Sequence, residues 1–422
     1  MRSGRTLIVT AVALFGAVLV VGLVIVAPWN GHGTVTPFPT ASTASTLPEP
    51  TTVPSTASGS APSSPSASPS PAGADQGLWP TYGYDDARTR FNAAVTDLRP
   101  PYHVKWRRRI GELLEFPPAI DRDMLFLTTN GGQIFGLDAK TGRRIWRRHY
   151  GFKFASSPTV NDGVVYVTSM NGWLFALDRD TGKGIWRHQY GSPSESSPLV
   201  WHGMVIAGCW NGKLYAISLR THHVVWKIQT GAKITASPAV SDGRLVFGSY
   251  DGSVYCVNHR GKRLWTFHPS RYFVASDSFY ATPAIAYDTV YIGGLSSRVY
   301  AIDLTTGNQR WSAGAGSWVY SSAAVAGGRV YLGSYARRFY CFNARTGGLI
   351  WSVPTTRPIS GSASVIDGVV YFSSLARRTY GADTRTGRVI WRFGDGRYSP
   401  AAAGATILYV VGQNTLYALV PK

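Results

Sequence analysis

From residue 116 to the C-terminus the chain alternates short apolar runs with turn pairs, and the pattern recurs about every 40 residues. One unit shows it plainly. Apolar or β-branched runs cover 155–160, 164–169, 173–178 and 184–188, with Asp162-Gly163, Asn171-Gly172 and Thr181-Gly182 between them. Runs of this length and composition, bounded by glycine pairs, predict strands. Asp-Gly and Asn-Gly supply the positive φ that two-residue hairpins require. Each unit is therefore expected to hold four antiparallel strands, A to D. No stretch beyond the N-terminal apolar run carries a helical period.

A fixed tryptophan marks the register. Trp106, Trp146, Trp186, Trp226, Trp265, Trp311, Trp351 and Trp391 are separated by 40, 40, 40, 39, 46, 40 and 40 residues. A period near 40 is the mark of a repeat architecture. Trp106 has a D strand around it (103–110) but no A, B or C before it. The last three apolar runs (399–403, 407–411, 415–420) give A, B and C without a D. The two fragments complete one another. The predicted fold is all-β: an eight-bladed propeller of four-stranded antiparallel blades, closed by an N-terminal D strand and preceded by one transmembrane helix. Closure explains why no polar capping repeat is needed.

The segments before the repeats read differently. Residues 1–5 are basic and are expected to form a short cytoplasmic tail. Residues 6–28 are uncharged and apolar, long enough for a signal-anchor helix. Arg2 and Arg5 precede it, which directs the rest of the chain out of the cytoplasm. A cleaved signal peptide is the competing reading, and Pro28 after Ala27 disfavours it. Residues 29–77, rich in Pro, Ser and Thr, predict a disordered, semi-rigid linker. The propeller is expected over 78–422, opening on a lead-in from Trp79 to Phe91 with no regular pattern.

Composition adds charge to this picture. Lys plus Arg number 42 against 22 acids, a net +20, and nearly all of it falls on the propeller. Such a balance favours an anionic partner. Three cysteines without close spacing form no disulfide framework and no metal motif. Cys256 and Cys341 take the repeat slot that holds Ala176, Ala216 and Ala301, so they read as small core residues.

The repeat ending Ala-x-Asp-x-x-Thr-Gly-x-x-x-Trp is complete at Ala176 to Trp186 and Ala301 to Trp311. Gly136 and Gly381 replace its alanine in two further units. Elsewhere it decays, with Cys341 and Asn343, or Ser218 and His222, in place of its small and acidic residues. This ending resembles the tryptophan-docking motif of pyrroloquinoline-quinone (PQQ) repeat propellers over about 79–422. The resemblance implies a tryptophan wedged between adjacent blades. It also implies one of two functions, since quinoprotein dehydrogenases and non-enzymatic envelope scaffolds similar to BamB share the scaffold.

In a propeller the B–C turns and D–A crossings share one face. Blades one to four carry glycine at the B–C turn. Blades five to seven instead carry Arg298, Arg337 with Arg338, and Arg377 with Arg378. The crossings add Lys153, Lys233 and Arg271. These eight residues form the candidate ligand-binding set, because arginine forks suit carboxylate and phosphate. A merely solvated basic surface is the alternative. A long aromatic crossing over 267–280 reads as a lid or docking loop, or as packing over the channel mouth.

A quinoprotein site needs a calcium cage and a catalytic base. Acids near this face are few: Glu112, Glu115, Glu195 and Asp277. No catalytic residue and no metal ligand is assigned. The expected function is therefore a membrane-anchored extracytoplasmic binding or assembly scaffold without a cofactor. A PQQ-dependent dehydrogenase with Ca²⁺ is the alternative, and a sensor of an anionic envelope polymer a further one. The expected partners are envelope proteins or such a polymer, with the membrane reached through the N-terminal helix. Nucleic acid is not expected, and the protein is expected to be a monomer.

Overall fold

The predicted alternation folds as eight sheets whose innermost strands adjoin in a ring, with the eighth touching the first. The computed structural model describes residues 78–269, 277–398 and 401–422. The tail, anchor and linker expected over 1–77, Arg271, and half of the aromatic crossing lie outside the described residues. Among the described residues no helix is long and apolar enough to cross a membrane.

Blade two is typical: A is Thr159–Asn161, B Val164–Thr168, C Trp173–Asp178 and D Gly184–Gln189, in the order D-C-B-A. Strand C is buried over its four central residues. Strand D alternates and faces solvent at the rim. The A strand is half as long as its apolar run. Residues 155–158 turn instead along the channel wall, where their polar groups bond to neighbouring blades.

The eighth blade is shared between the chain ends. Tyr102–Arg109 pairs antiparallel with Thr415–Pro421, from Tyr102↔Pro421 to Arg109↔Thr415. Ala401–Ala403 and Leu408–Val411 supply its A and B strands.

Each C–D pairing slips register at the tryptophan, as at Gly184/Trp186. A bulge re-aims a side chain, and here it aims each indole at the next blade. Trp146 Nε1 donates to Arg179 O at 2.8 Å, and the ring lies against Gly182. Trp265, Trp311 and Trp351 do the same at Leu304, Ala344 and Thr384. A Cβ at Gly182 would sit 2.5 Å from the Trp146 ring, so glycine is required there. Two departures have local remedies. His222 replaces that glycine at φ 61° and stacks on Trp186, with ring centroids 4.7 Å apart. Trp391 meets the chain ends instead of a turn and packs edge-on against Tyr102 at 5.5 Å. The three cysteines are free and buried.

The lead-in is the largest departure from the expected picture. It is not a loose preamble but a plug in the axial channel. An innermost A strand would leave a bare edge along the channel, and bare edges seek partners. The lead-in supplies them. Trp79 exchanges both backbone bonds with Ile120 of blade one. The carbonyls of Pro80, Asp86, Ala87, Thr89 and Arg90 then accept from Val160, Val240, Ile285, Val325 and Val365. Phe91–Asn92 runs parallel to the A strand of blade seven. Arg88 reaches the one A strand bypassed among the first seven blades, donating from Nη2 to Pro198 O at 3.1 Å and from Nε to Pro238 O at 3.0 Å.

Candidate functional site

The channel wall has layers, because each blade offers the same position at the same depth. Beside the plug runs a ring of hydroxyls. Ser197, Ser237, Thr282, Ser322 and Ser362 each accept the backbone N–H of the preceding blade's equivalent residue, at 2.9–3.2 Å. Two residues earlier in each blade sits the mouth layer: Glu115, Ala155, Glu195, Thr235, Tyr280, Tyr320, Ser360 and Arg397. Extended chain rises about 3.3 Å per residue, so the mouth lies roughly 7 Å beyond the hydroxyl ring.

Three groups converge at the mouth. The first is aromatic. Tyr280 and Tyr320 touch edge to face at 5.0 Å, and Tyr320, Tyr335 and Trp318 continue the cluster. The second is cationic. Lys233 Nζ lies 4.3 Å from the Tyr250 ring centroid and 4.8 Å from that of Trp210, a half-buried cation between two aromatic rings. Lys153 pairs with Glu115 at 3.3 Å. The third is a single buried acid. Glu195 is 7% exposed. Burial raises its carboxyl to about 7, while Lys153, Lys233 and the Tyr280 hydroxyl draw it part-way back.

A pH dependence follows. The folded value lies above the ordinary carboxyl value of 4.5. The stability this group contributes is therefore fully present below about pH 4.5 and lost as pH rises through about 7. Glu195→Gln is expected to be stabilised relative to the parent above pH 7 by on the order of 1–3 kcal/mol. Asp85, which burial raises to about 6, titrates in the same window in both proteins. The check is the difference between the two proteins' urea-unfolding profiles from pH 4.5 to 8. Parallel profiles would contradict the assignment.

The sequence-derived set separates in space. Lys153 and Lys233 belong to the inner mouth. Arg298, Arg337, Arg338, Arg377 and Arg378 are exposed on the B–C turns of blades five to seven. Arg298 and Arg338 each donate to a serine of the neighbouring D strand, Ser312 and Ser352. Arg337 and Arg377 hold φ of 58° and 60°, where Gly132, Gly172, Gly212 and Gly252 hold 74–89° in blades one to four. A residue with a Cβ in that region costs on the order of 1 kcal/mol relative to glycine.

Two of the four acids near the face are turn clamps. Glu112 accepts from Thr129 and Gln133, and Asp277 from Ser296 and Tyr300. Glu115 and Glu195 remain, each beside lysine. A calcium ion needs several carboxylate or carbonyl oxygens and no adjacent ammonium. The mouth residues do not fit that ion, and Trp210 already stacks Lys233. Among the described residues, no group of three or more His, Cys, Asp or Glu is placed to hold a metal.

Comparison with known proteins follows the fold. The family model described as outer membrane protein assembly factor BamB matches residues 102–233, 171–319 and 313–422. The crystal structure of BamB from Moraxella catarrhalis superposes with a TM-score of 0.65 at 18% identity, covering 76% of this chain and 98% of that one. A europium-containing methanol dehydrogenase gives 0.71 at 12% identity, covering 82% and 98%. The quinohemoprotein alcohol dehydrogenase from Comamonas testosteroni gives 0.69 at 16%, covering 82% and 81%. At these identities the structural likeness speaks for the fold alone. No protein of curated function matches the sequence.

Proposed function

The chain belongs to the family of the outer membrane protein assembly factor BamB, and from that premise we propose that it is a non-catalytic binding or assembly scaffold of the cell envelope. Its basic turn face takes an anionic partner, an envelope protein with an acidic surface or an anionic envelope polymer. Residues 6–28 tether it to a membrane, with the propeller on the extracytoplasmic side and the Pro/Ser/Thr-rich residues 29–77 as spacer. It acts as a monomer, with no nucleic acid and no cofactor.

One observation carries this reading. Arg337 and Arg377 sit in left-handed backbone on exposed turns where the same fold elsewhere uses glycine. Strain kept at an exposed position points to contact rather than to packing. The dehydrogenase alternative is disfavoured by the mouth, where lysines stand beside the carboxylates a metal would need. The matching family is also described by an assembly factor.

The test changes Arg337, Arg338, Arg377 and Arg378 to serine together. Capture of envelope proteins or anionic polymer by the immobilised protein is expected to fall at least tenfold and to weaken with added salt. Stability is expected to move by less than about 1 kcal/mol. The matched control changes Arg143, Arg144 and Arg147, at the C–D turn and D strand of blade one. Equal loss in the control would make net charge, and not this face, the cause.

A further inference from the structure

Besides the basic face and the mouth, the channel holds a second cluster of unusual chemistry. The plug buries two arginines, and they are treated very differently. Arg88 is fully bonded, to Pro238 O, Pro198 O, Thr81 Oγ1 and Tyr82 O. Arg90 is 2% exposed, yet Nε, Nη1 and Nη2 have no hydrogen-bond partner among the described residues. The Tyr82 ring lies beside it, with its centroid 4.2 Å from Cζ, and Nη1 packs against Gly83. Trp79, 2% exposed, likewise has a buried Nε1 without a partner. Both residues line one cavity of about 20 Å³, together with Tyr82, Gly83, Pro117 and Ser362.

The four buried nitrogens on the wall of this one small cavity are all donors. A buried guanidinium left unpaired costs several kcal/mol. Water would accept from some of these groups, but it carries two protons that also need acceptors. The Ser362 hydroxyl already bonds to Tyr82 and Ser322. A species that only accepts, carries one negative charge and fills one small cavity meets every requirement. The neighbouring acids do not cancel the charge. Asp85 Oδ1 and Oδ2 are spent on Thr89 N and Oγ1, and Asp86 is exposed. The Tyr82 hydroxyl agrees with this: burial raises it, but the Arg90 charge, the Ser362 and Ser322 hydroxyls and Arg90's own approach to the hydroxyl outweigh that and hold it below the ordinary phenol value. The surroundings favour negative charge at this point.

We propose that the cavity beneath the plug binds one halide-sized monovalent anion, chloride under ordinary conditions, on Arg90 and Trp79. The ion neutralises the plug and locks the lead-in to blades seven, eight and one. This site is independent of the basic outer face and of any partner bound there.

The test uses the full chain. Crystals grown in sodium bromide are expected to show an anomalous peak between the Arg90 guanidinium and Trp79 Nε1. In solution, replacing sodium gluconate with sodium chloride at constant ionic strength is expected to raise the thermal midpoint by about 3–6 °C. Arg90→Met is expected to abolish the chloride-specific rise. Should that variant fail to fold, the bromide measurement on the parent decides alone. Absence of bromide at Arg90, or equal midpoints in chloride and gluconate for the parent, would overturn the proposal.

Discussion

Replacing Arg88 by alanine is expected to lower the free energy of unfolding by about 3–5 kcal/mol, a large share of a typical domain's stability. The side chain is fully buried and ties the lead-in to two blades at once. Burial draws its guanidinium down to about 10, and Asp86 and Asp85 partly restore it, so the charge is retained at neutral pH. Removal leaves the carbonyls of Pro198 and Pro238 without this donor and Thr81 without its cation. Hydrogen bonds to charged groups contribute about 1.5–3 kcal/mol each. Arg88→Lys is expected to recover little, because a point ammonium cannot span the forked contacts. Urea titration followed by tryptophan fluorescence reads the change. A loss below about 1 kcal/mol would mean that the plug rests on the ring without supporting it.

Ending the chain after Gln413 is expected to be more damaging still. It removes Thr415–Pro421, the strand that holds Tyr102–Arg109 on one side and Leu408–Val411 on the other. Two unpaired edges would then face solvent, and apolar residues such as Leu416, Ala418 and Leu419, all buried, would be lost from the core shared by blades seven, eight and one. Open edges of this kind pair with other chains. Aggregation or loss of a single cooperative transition is the expected outcome, read by light scattering and calorimetry. A truncated protein that melts like the parent would contradict the shared eighth blade.

These expectations trace how far the residues alone carried the reading. The blades were legible because a period-two pattern and a fixed tryptophan recur every 40 residues, and local turn chemistry agrees with both. The shared blade was legible because both fragments keep that register. The lead-in was not, because it pairs through backbone carbonyls of an irregular segment that is kinked at Tyr84, Arg88 and Arg90 (φ 79°, 58° and 55°). No side-chain pattern announces such pairing. The hydroxyl ring was within reach: Ser157, Ser197, Ser237, Thr282, Ser322 and Ser362 keep the repeat spacing, and only their common direction needed coordinates. The aromatic mouth was half legible. The crossing over 267–280 was visible as an aromatic stretch, whereas Trp318, Tyr320 and Tyr335 took their meaning from packing together, and Tyr280 from meeting both Tyr320 and Glu195. The arginines of blades five to seven were visible as missing glycines, and the positive φ of Arg337 and Arg377 gives that substitution its cost.

The central claim is that this propeller binds without performing redox chemistry, and one measurement bears on it directly. The purified protein is titrated with PQQ in the presence of Ca²⁺, and separately of a lanthanide ion, and assayed for dye reduction with alcohols and sugars. The account predicts no dye reduction above the protein-free baseline with either ion, because the two remaining mouth carboxylates, Glu115 and Glu195, each stand beside lysine. Stoichiometric uptake of PQQ with substrate-dependent dye turnover would contradict it and make the chain a quinoprotein dehydrogenase.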